Sequence, residues 1–252
     1  MGTGKEVIFA LGYSDNTSTS YLLDYLTKHG VIIHGVIFPK NQPGRSWKRL
    51  ARKIQARGVF PAIKRIAENR VIRKKQISQI CQERIAKVFF VDEINSEEVR
   101  EILISNRVDL LLMTATPIIK PIIIDIDGLT ILNAHTGWLP RFRGLDANMK
   151  ALRDGHQPGI SIHRVTEKID AGEVYLRKSF QIDHGGNILK QLDRKELELA
   201  GELLVEAARQ KSTNMLKAIA TSEPLGKYEP PLTTRETKRI IQQLRKEALQ
   251  TP

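Results

Sequence analysis

Cysteine is almost missing from this chain. Cys81 is the only one among 252 residues, so an internal disulfide is excluded and nothing argues for an oxidising compartment. Long apolar runs are missing too. None approaches the roughly 20 residues that a membrane-spanning helix needs, and Met1 to Glu6 lack the apolar core of a secretory signal. The expected location is the cytoplasm. The glycine fingerprints of nucleotide-cofactor sites are also absent. The loop after the first apolar run, Gly12 to Ser20, fits neither GxGxxG nor GxxxxGK[ST], although such a loop ahead of a helix N-terminus can hold a phosphate. Acidic residues are scarce relative to basic ones, 28 against 40, a formal net charge of +12. The excess is local: Arg45 to Lys75 holds twelve Lys and Arg against one acid, Glu68. Such a patch attracts nucleic acid, a membrane surface or a small polyanionic substrate, or it is simply a solvated helix face.

What is present fits a soluble globular chain with one sizeable core, 41% hydrophobic and 27% charged. Buried strands are predicted at Glu6 to Gly12 and Val108 to Met113, a short strand at Lys87 to Val91, and further strands at Val31 to Phe38, Thr130 to Ala134, Ile160 to Val165 and Val174 to Ile182. Trp47, Leu50 and Ile54, then Ile63 and Ile66, fall at helical spacing, which predicts two basic amphipathic helices. Cys81 reads as a small apolar helix residue. Helices are also predicted from Ser96 to Ser105, with Ser96 as cap, from Asp146 to Arg153, over Asn187 to Lys217 as one helix or two, and from Arg235 to Leu249. Glu223 to Thr234, with three prolines, looks like a tail. Strands alternating with helices predict an α/β fold, a Rossmann-like layered and mostly parallel sheet with a short helical C-terminal extension. Residues 1–215 are expected to form the main domain, with a basic helical insertion at 44–80, and 216–252 the extension.

One stretch concentrates the chemistry. Alternate strand residues share a face, so Asn133 and His135 stand together at a strand end, where a Pro-, Gly- and Arg-rich segment leads the chain away. A second apolar run ends at Asp170, ahead of Ala171-Gly172. Histidine moves protons near neutral pH, a carboxylate favours and orients its imidazolium, and an Asn amide donates to a carbonyl oxygen that gains charge. No Ser or Cys stands at a sharp turn beside them, so direct attack by a bound amine or water on an acyl carbon suits the set. A structural hydrogen-bonded pair is the other reading.

Asn133-Ala134-His135 followed by Leu139-Pro140-Arg141-Phe142-Arg143-Gly144 resembles the signature of the 10-formyltetrahydrofolate-dependent formyltransferases. Gly159-Ile160-Ser161-Ile162-His163 through Ile169-Asp170-Ala171-Gly172 resembles the family's second signature. The resemblance implies that Asn133, His135 and Asp170 are catalytic. The first two would stabilise the oxyanion formed as an amine attacks the formyl carbon, and Asp170 would keep the histidine protonated or relay protons through water. It further implies a folate co-substrate, and no metal, between Met113, Thr114, Ala115, Thr116, Ile118 and Ile119 on one side and Val165, Lys168 and Ile169 on the other, mostly against backbone. Tyr13, Trp138, Arg141, Arg143, Gly144, Asn148 and His163 are expected near the acceptor. Family members commonly have Ser-Leu-Leu-Pro where this chain has Gly137-Trp138-Leu139-Pro140, so the supporting serine is absent or replaced by Thr136, and Trp138 would reshape the pocket wall.

Several acceptors are open. Ser14 to Ser18 replaces the phosphate loop of the glycinamide ribonucleotide enzymes. Arg141 to Gly144 and Tyr228 to Thr233 resemble parts of the methionyl-tRNA enzymes, but no tRNA-gripping barrel is expected before Pro252, which makes tRNA the weaker partner. A nucleotide-linked amino sugar of surface-polysaccharide synthesis is the favoured acceptor by resemblance. Hydrolysis of the formyl donor, other amine acceptors and a non-catalytic nucleic-acid-binding protein are the alternatives. A homodimer through Arg235 to Leu249 is expected by family similarity.

Overall fold

The computed structural model describes residues 6–40, 74–115 and 118–250. The two helices predicted between Trp47 and Ile66, nearly all of the basic stretch and Thr116 lie outside them. The chain divides into two compact units, residues 1–130 and 131–252.

The first unit is a parallel α/β layer. Its strands are β1 (Ile8–Gly12), β2 (Gly35–Pro39), β3 (Lys87–Val91) and β4 (Leu110–Thr114), in the order β3-β2-β1-β4. β2 and β4 flank β1, both parallel to it, with Phe9 opposite Gly35 and Leu111. β1, β2 and β4 are buried at every position, as expected of strands covered on both faces. β2 begins later than its apolar run implies. Val31 and Ile33 are buried, but His34 closes that stretch onto Ile8 by donating its N–H to the Ile8 carbonyl and accepting the Ile8 N–H at Nδ1. Helix α1 (Thr17–Lys28) is capped by Asn16, whose side-chain amide oxygen accepts the N–H groups of Ser18 and Thr19. A phosphate at this helix start would therefore compete with a side chain already in place. Cys81 is buried in helix α2, residues 74–84, and burial pushes its thiol up to about 11, as befits an inert apolar residue. The unit also holds helices α3 (Glu97–Ser105, capped by Ser96) and α4 (Pro121–Ile124).

The second unit carries β5 (Thr130–His135), β6 (Gly159–Arg164) and β7 (Val174–Ser179), each antiparallel to the next. Helix α5 (Ala147–Arg153) follows β5. Helix α6 (Ile188–Ser212) is a single helix lying against β6 and β7. Helix α7 (Thr234–Gln250) packs on α5 with Ile240 and Leu244 buried. Among the described residues, the strands of the first unit are parallel and Rossmann-like and those of the second are antiparallel. No helix of the described residues is long and apolar enough to cross a membrane.

Residues 223–234 are not a loose tail. Gly226 donates its N–H to the Pro140 carbonyl, Tyr228 bridges Arg143, the Lys150 ammonium reaches the Glu229 carbonyl at 3.0 Å, and Leu232 donates to Asp146. The prolines leave fewer N–H groups to satisfy, and those of Gly226 and Leu232 find partners at Pro140 and Asp146.

Candidate active site

Strand pairing assembles the polar residues. In the β5–β6 register Asn133 stands opposite His163 and His135 opposite Ser161. His163 is buried, and its Nδ1–H donates to the Arg164 carbonyl at 2.9 Å. That fixes Nε2 as an acceptor, and the Asn133 amide donates to it at 3.2 Å. One amide hydrogen of Asn133 is thereby held and the other is left for a second acceptor. Burial, with the neighbouring His135 adding to it, pushes the His163 pKa down to about 4. A neutral ring suits its role, because a proton on Nε2 would face the Asn133 amide hydrogen.

His135 is also buried. Its Nε2–H donates to the Phe142 carbonyl at 2.8 Å, and Nδ1 faces the Asp170 carboxylate at 3.5 Å, outside bonding distance. The close approach of ring and carbonyl requires Gly137, since a Cβ there would lie 2.6 Å from Nε2 and 2.8 Å from the Phe142 oxygen. Burial outweighs the attraction of Asp170 and lowers the His135 pKa. This differs from the expectation that Asp170 keeps the ring protonated. With Nε2 held by the Phe142 carbonyl, Nδ1 is the ring nitrogen that faces the carboxylate, so a proton taken up there gives an imidazolium that Asp170 stabilises.

Asp170 lies between the two histidines, with Oδ1 3.7 Å from His163 Nε2 and Oδ2 accepting the Gly144 N–H at 2.8 Å. Its backbone is left-handed, φ 50°. Asn133, His135, His163 and Asp170 therefore form one cluster around a carboxylate.

The other predicted contacts divide. Arg143, expected near the acceptor, is buried, and its guanidinium donates to the carbonyls of Ile169 and Gly226. Asn148 is buried with its amide donating to Glu196 and its oxygen accepting the Gly159 N–H. Neither side chain is left to face a substrate. Trp138 packs against Phe142, Ala147 and Ala151 and is covered by the Arg177 guanidinium, 4.4 Å from the ring centroid, so it is built into the scaffold rather than into a pocket wall. Arg141 is more exposed, pairing with Glu223 at 3.6 Å. Gly144 serves Asp170 through its N–H.

In the first unit, Met113, Thr114 and Ile119 are buried. Thr114 donates its hydroxyl to the Leu11 carbonyl and accepts the Thr19 hydroxyl at its own carbonyl, so these three can offer a folate no exposed side chain. Ala115, with φ 79°, and the exposed Ile118 are the accessible members. Asn95 holds the far end, donating to the Ile118 carbonyl and accepting the Lys120 N–H. In the second unit, Val165 and Ile169 are half-buried and Lys168 exposed. Tyr13 is half-buried in the first unit, and burial raises its pKa.

Sequence reasoning missed three supports. Ser161, rather than Thr136, steadies the turn after His135 by donating to the Gly137 carbonyl and accepting the Leu139 N–H. The Phe142 carbonyl carries no residue-type signal. Glu196, half-buried under Asn148, has its pKa raised by burial to about 7, and only its place on the inner face of α6 hinted at it. Among the described residues no three His, Cys, Asp or Glu group as a metal site.

An amide and two histidines on adjacent antiparallel strands, with a carboxylate on the turn that follows, are the groups an acyl transfer can use. Residues 51–208 match the family model described as formyl transferase, and the chain belongs to that family. It is 24% identical over 212 residues to the methionyl-tRNA formyltransferase of Thermotoga maritima, covering 83% of this chain and 60% of the relative. The protein of the same name from Kosmotoga olearia is 26% identical over 163 residues, covering 64% of this chain and 52% of the relative. The chain thus spans between half and three-fifths of the length of these two relatives. Among solved structures, a sugar N-formyltransferase from Shewanella superposes with a TM-score of 0.61 at 13% identity, covering 95% of this chain and 87% of that one. Phosphoribosylglycinamide formyltransferase from Anaplasma phagocytophilum gives 0.59 at 17% identity, covering 88% and 98%. At these identities the structures show a shared fold.

Proposed function

We propose that this protein transfers the formyl group of 10-formyltetrahydrofolate to a primary amine, and that the amine belongs to a nucleotide-linked amino sugar. The observation that carries the reaction is the clustering of Asn133, His135 and Asp170 with a lone pair of His135 turned toward the carboxylate. The amine nitrogen attacks the formyl carbon, and the carbonyl oxygen gains negative charge as the tetrahedral intermediate forms. The second amide hydrogen of Asn133 donates to that oxygen. His135 takes the proton that the attacking nitrogen sheds, its imidazolium steadied by Asp170, and returns it to the folate nitrogen as the carbon–nitrogen bond breaks. The product is a formamide and tetrahydrofolate.

For the acceptor, the support is the family resemblance to the amino-sugar enzymes, whose fold this chain shares with the Shewanella sugar N-formyltransferase. The second reading, an aminoacyl-tRNA acceptor, draws on the methionyl-tRNA relatives and on the basic stretch from Arg45 to Lys75. The deciding experiment incubates the protein with 10-formyltetrahydrofolate and a panel of nucleotide-linked amino sugars, aminoacylated initiator tRNA and glycinamide ribonucleotide, and reads products by mass spectrometry. One added formyl group on a sugar nucleotide supports the proposal. Formylated tRNA with no sugar product favours the second reading. Loss of the donor with no formylated acceptor means hydrolysis, and no donor consumption sinks the catalytic reading.

A further inference from the structure

Three consecutive residues hold the cluster. Phe142 accepts His135 at its carbonyl, Arg143 grips the Ile169 carbonyl with Nε and Nη2, and Gly144 donates its N–H to Asp170. Arg143 is the unusual member. It is 6% exposed, and the partners of its guanidinium described here are backbone carbonyls, Ile169 on one side and Gly226 at 3.0 Å on the other. A buried guanidinium is costly unless its donors are satisfied, and its planar fork fixes the direction of what it binds. Here one side of the fork fixes the residue before Asp170 and the other fixes the strap formed by residues 224–232.

The strap is closely fitted. A Cβ on Gly226 would meet the Arg141 carbonyl oxygen at 1.8 Å. Beyond it, Lys150 is 1% exposed with its ammonium on the Glu229 carbonyl, and Arg153 pairs with the Glu229 carboxylate at 3.1 Å. The chain is thus held on both sides of the point where Arg143 reaches it, by Arg177 on Glu223 ahead of the strap and by Lys150 and Arg153 on Glu229 within it.

We propose that Arg143 is a positioning residue that couples this strap to Asp170, so that residues 224–232 belong to the catalytic apparatus without touching substrate. The proposal rests on the reading that Asp170 and His135 carry formyl transfer. In mechanical terms, Asp170 must hold a left-handed turn while its carboxylate meets Gly144 and faces two histidines. The Arg143 fork at the preceding carbonyl keeps that turn from drifting.

Two variants test it in the full chain. Arg143→Lys keeps the charge and loses the fork; Gly226→Ala displaces the strap and leaves Arg143 in place. Each should lower kcat by about a hundredfold, the loss that a misplacement of ~1 Å brings. KM for the folate should change far less than kcat, because neither the Arg143 side chain nor Gly226 offers the folate a contact of its own. The double variant should cost little more than the worse single one, since both break the same linkage. Unchanged kcat, kcat and KM moving together, or independent multiplying effects would overturn the proposal. Amide exchange of Gly144 provides a readout that needs no acceptor. It should accelerate in both variants while β1 amides keep their protection, and unchanged Gly144 exchange overturns the coupling even if no formyl acceptor is found. Should Arg143→Lys fail to fold, Gly226→Ala decides alone.

Discussion

The Phe142 carbonyl oxygen lies 2.8 Å from Nε2 of His135 and decides which nitrogen of that ring holds the resting proton. The chemistry is thereby left to Nδ1, on the Asp170 side. Replacing Asp170 by Asn, or His135 by Ala, should reduce turnover by about 10²- to 10⁴-fold, the range for losing a positioned proton-transfer group. Folate affinity, measured by equilibrium titration, should be nearly unchanged. Near-normal turnover in both variants would remove the mechanism proposed above.

The buried His163 and the half-buried Glu196 pull the pH dependence of stability in opposite directions. His163 titrates near 4 in the fold against 6.5 normally, so the unfolded chain binds its proton first and stability is lost as pH falls from about 6.5 toward about 4. Glu196 is raised from 4.5 to about 7, so the folded chain keeps a proton that the unfolded one releases, and stability is lost as pH rises across that window. Urea unfolding between about pH 5 and 6.5 should show the two nearly offsetting. Glu196→Gln should make stability climb more steeply with pH, by up to about 1.4 kcal/mol per pH unit, and His163→Gln less steeply by a similar amount. Slopes shifted in the same direction by both variants would contradict the assignment.

Thr114 lies on the loop expected to line the folate, yet its hydroxyl donates to the Leu11 carbonyl. Thr114→Val should therefore cost stability, about 1 kcal/mol for the lost hydrogen bond, and leave the folate KM alone. A large rise in KM without a drop in melting temperature would show a direct contact.

Trp138 and Arg177 stack at 4.4 Å, and Arg177 also donates to the Leu139 carbonyl and to Glu223. Replacing Arg177 by Met should lower stability by about 0.5–2 kcal/mol through the lost cation–π contact, with more from the freed carbonyl. The acceptor KM should not respond. If it rises while the melting temperature holds, Trp138 belongs to the acceptor pocket after all.

The trio could be read from the chain because residue type and a two-residue period are written in it. Asn133 and His135 had to share a face of a strand, and Asp170 had to end another apolar run before a glycine. What joins them could not be read that way. The pairing of Asn133 with His163 depends on a cross-strand register, and the partners of His135 and Arg143 are backbone carbonyls, which every residue possesses. Asn148 and Arg143 were expected at the acceptor by family resemblance. Burial turned both inward. The proline-rich residues 223–234 lacked any periodic pattern, and their order comes from hydrogen bonds to a distant loop.

The left-handed backbone at Asp170 limits what this position can accept. Glycine, asparagine and aspartate adopt that conformation readily, whereas bulky or β-branched side chains do so only under strain. A library randomised at position 170 should therefore sort into two screens. Asn and Gly pass selection for solubility alongside Asp, and Asp alone passes selection for turnover, so the site's shape and its charge can be scored separately at a single codon.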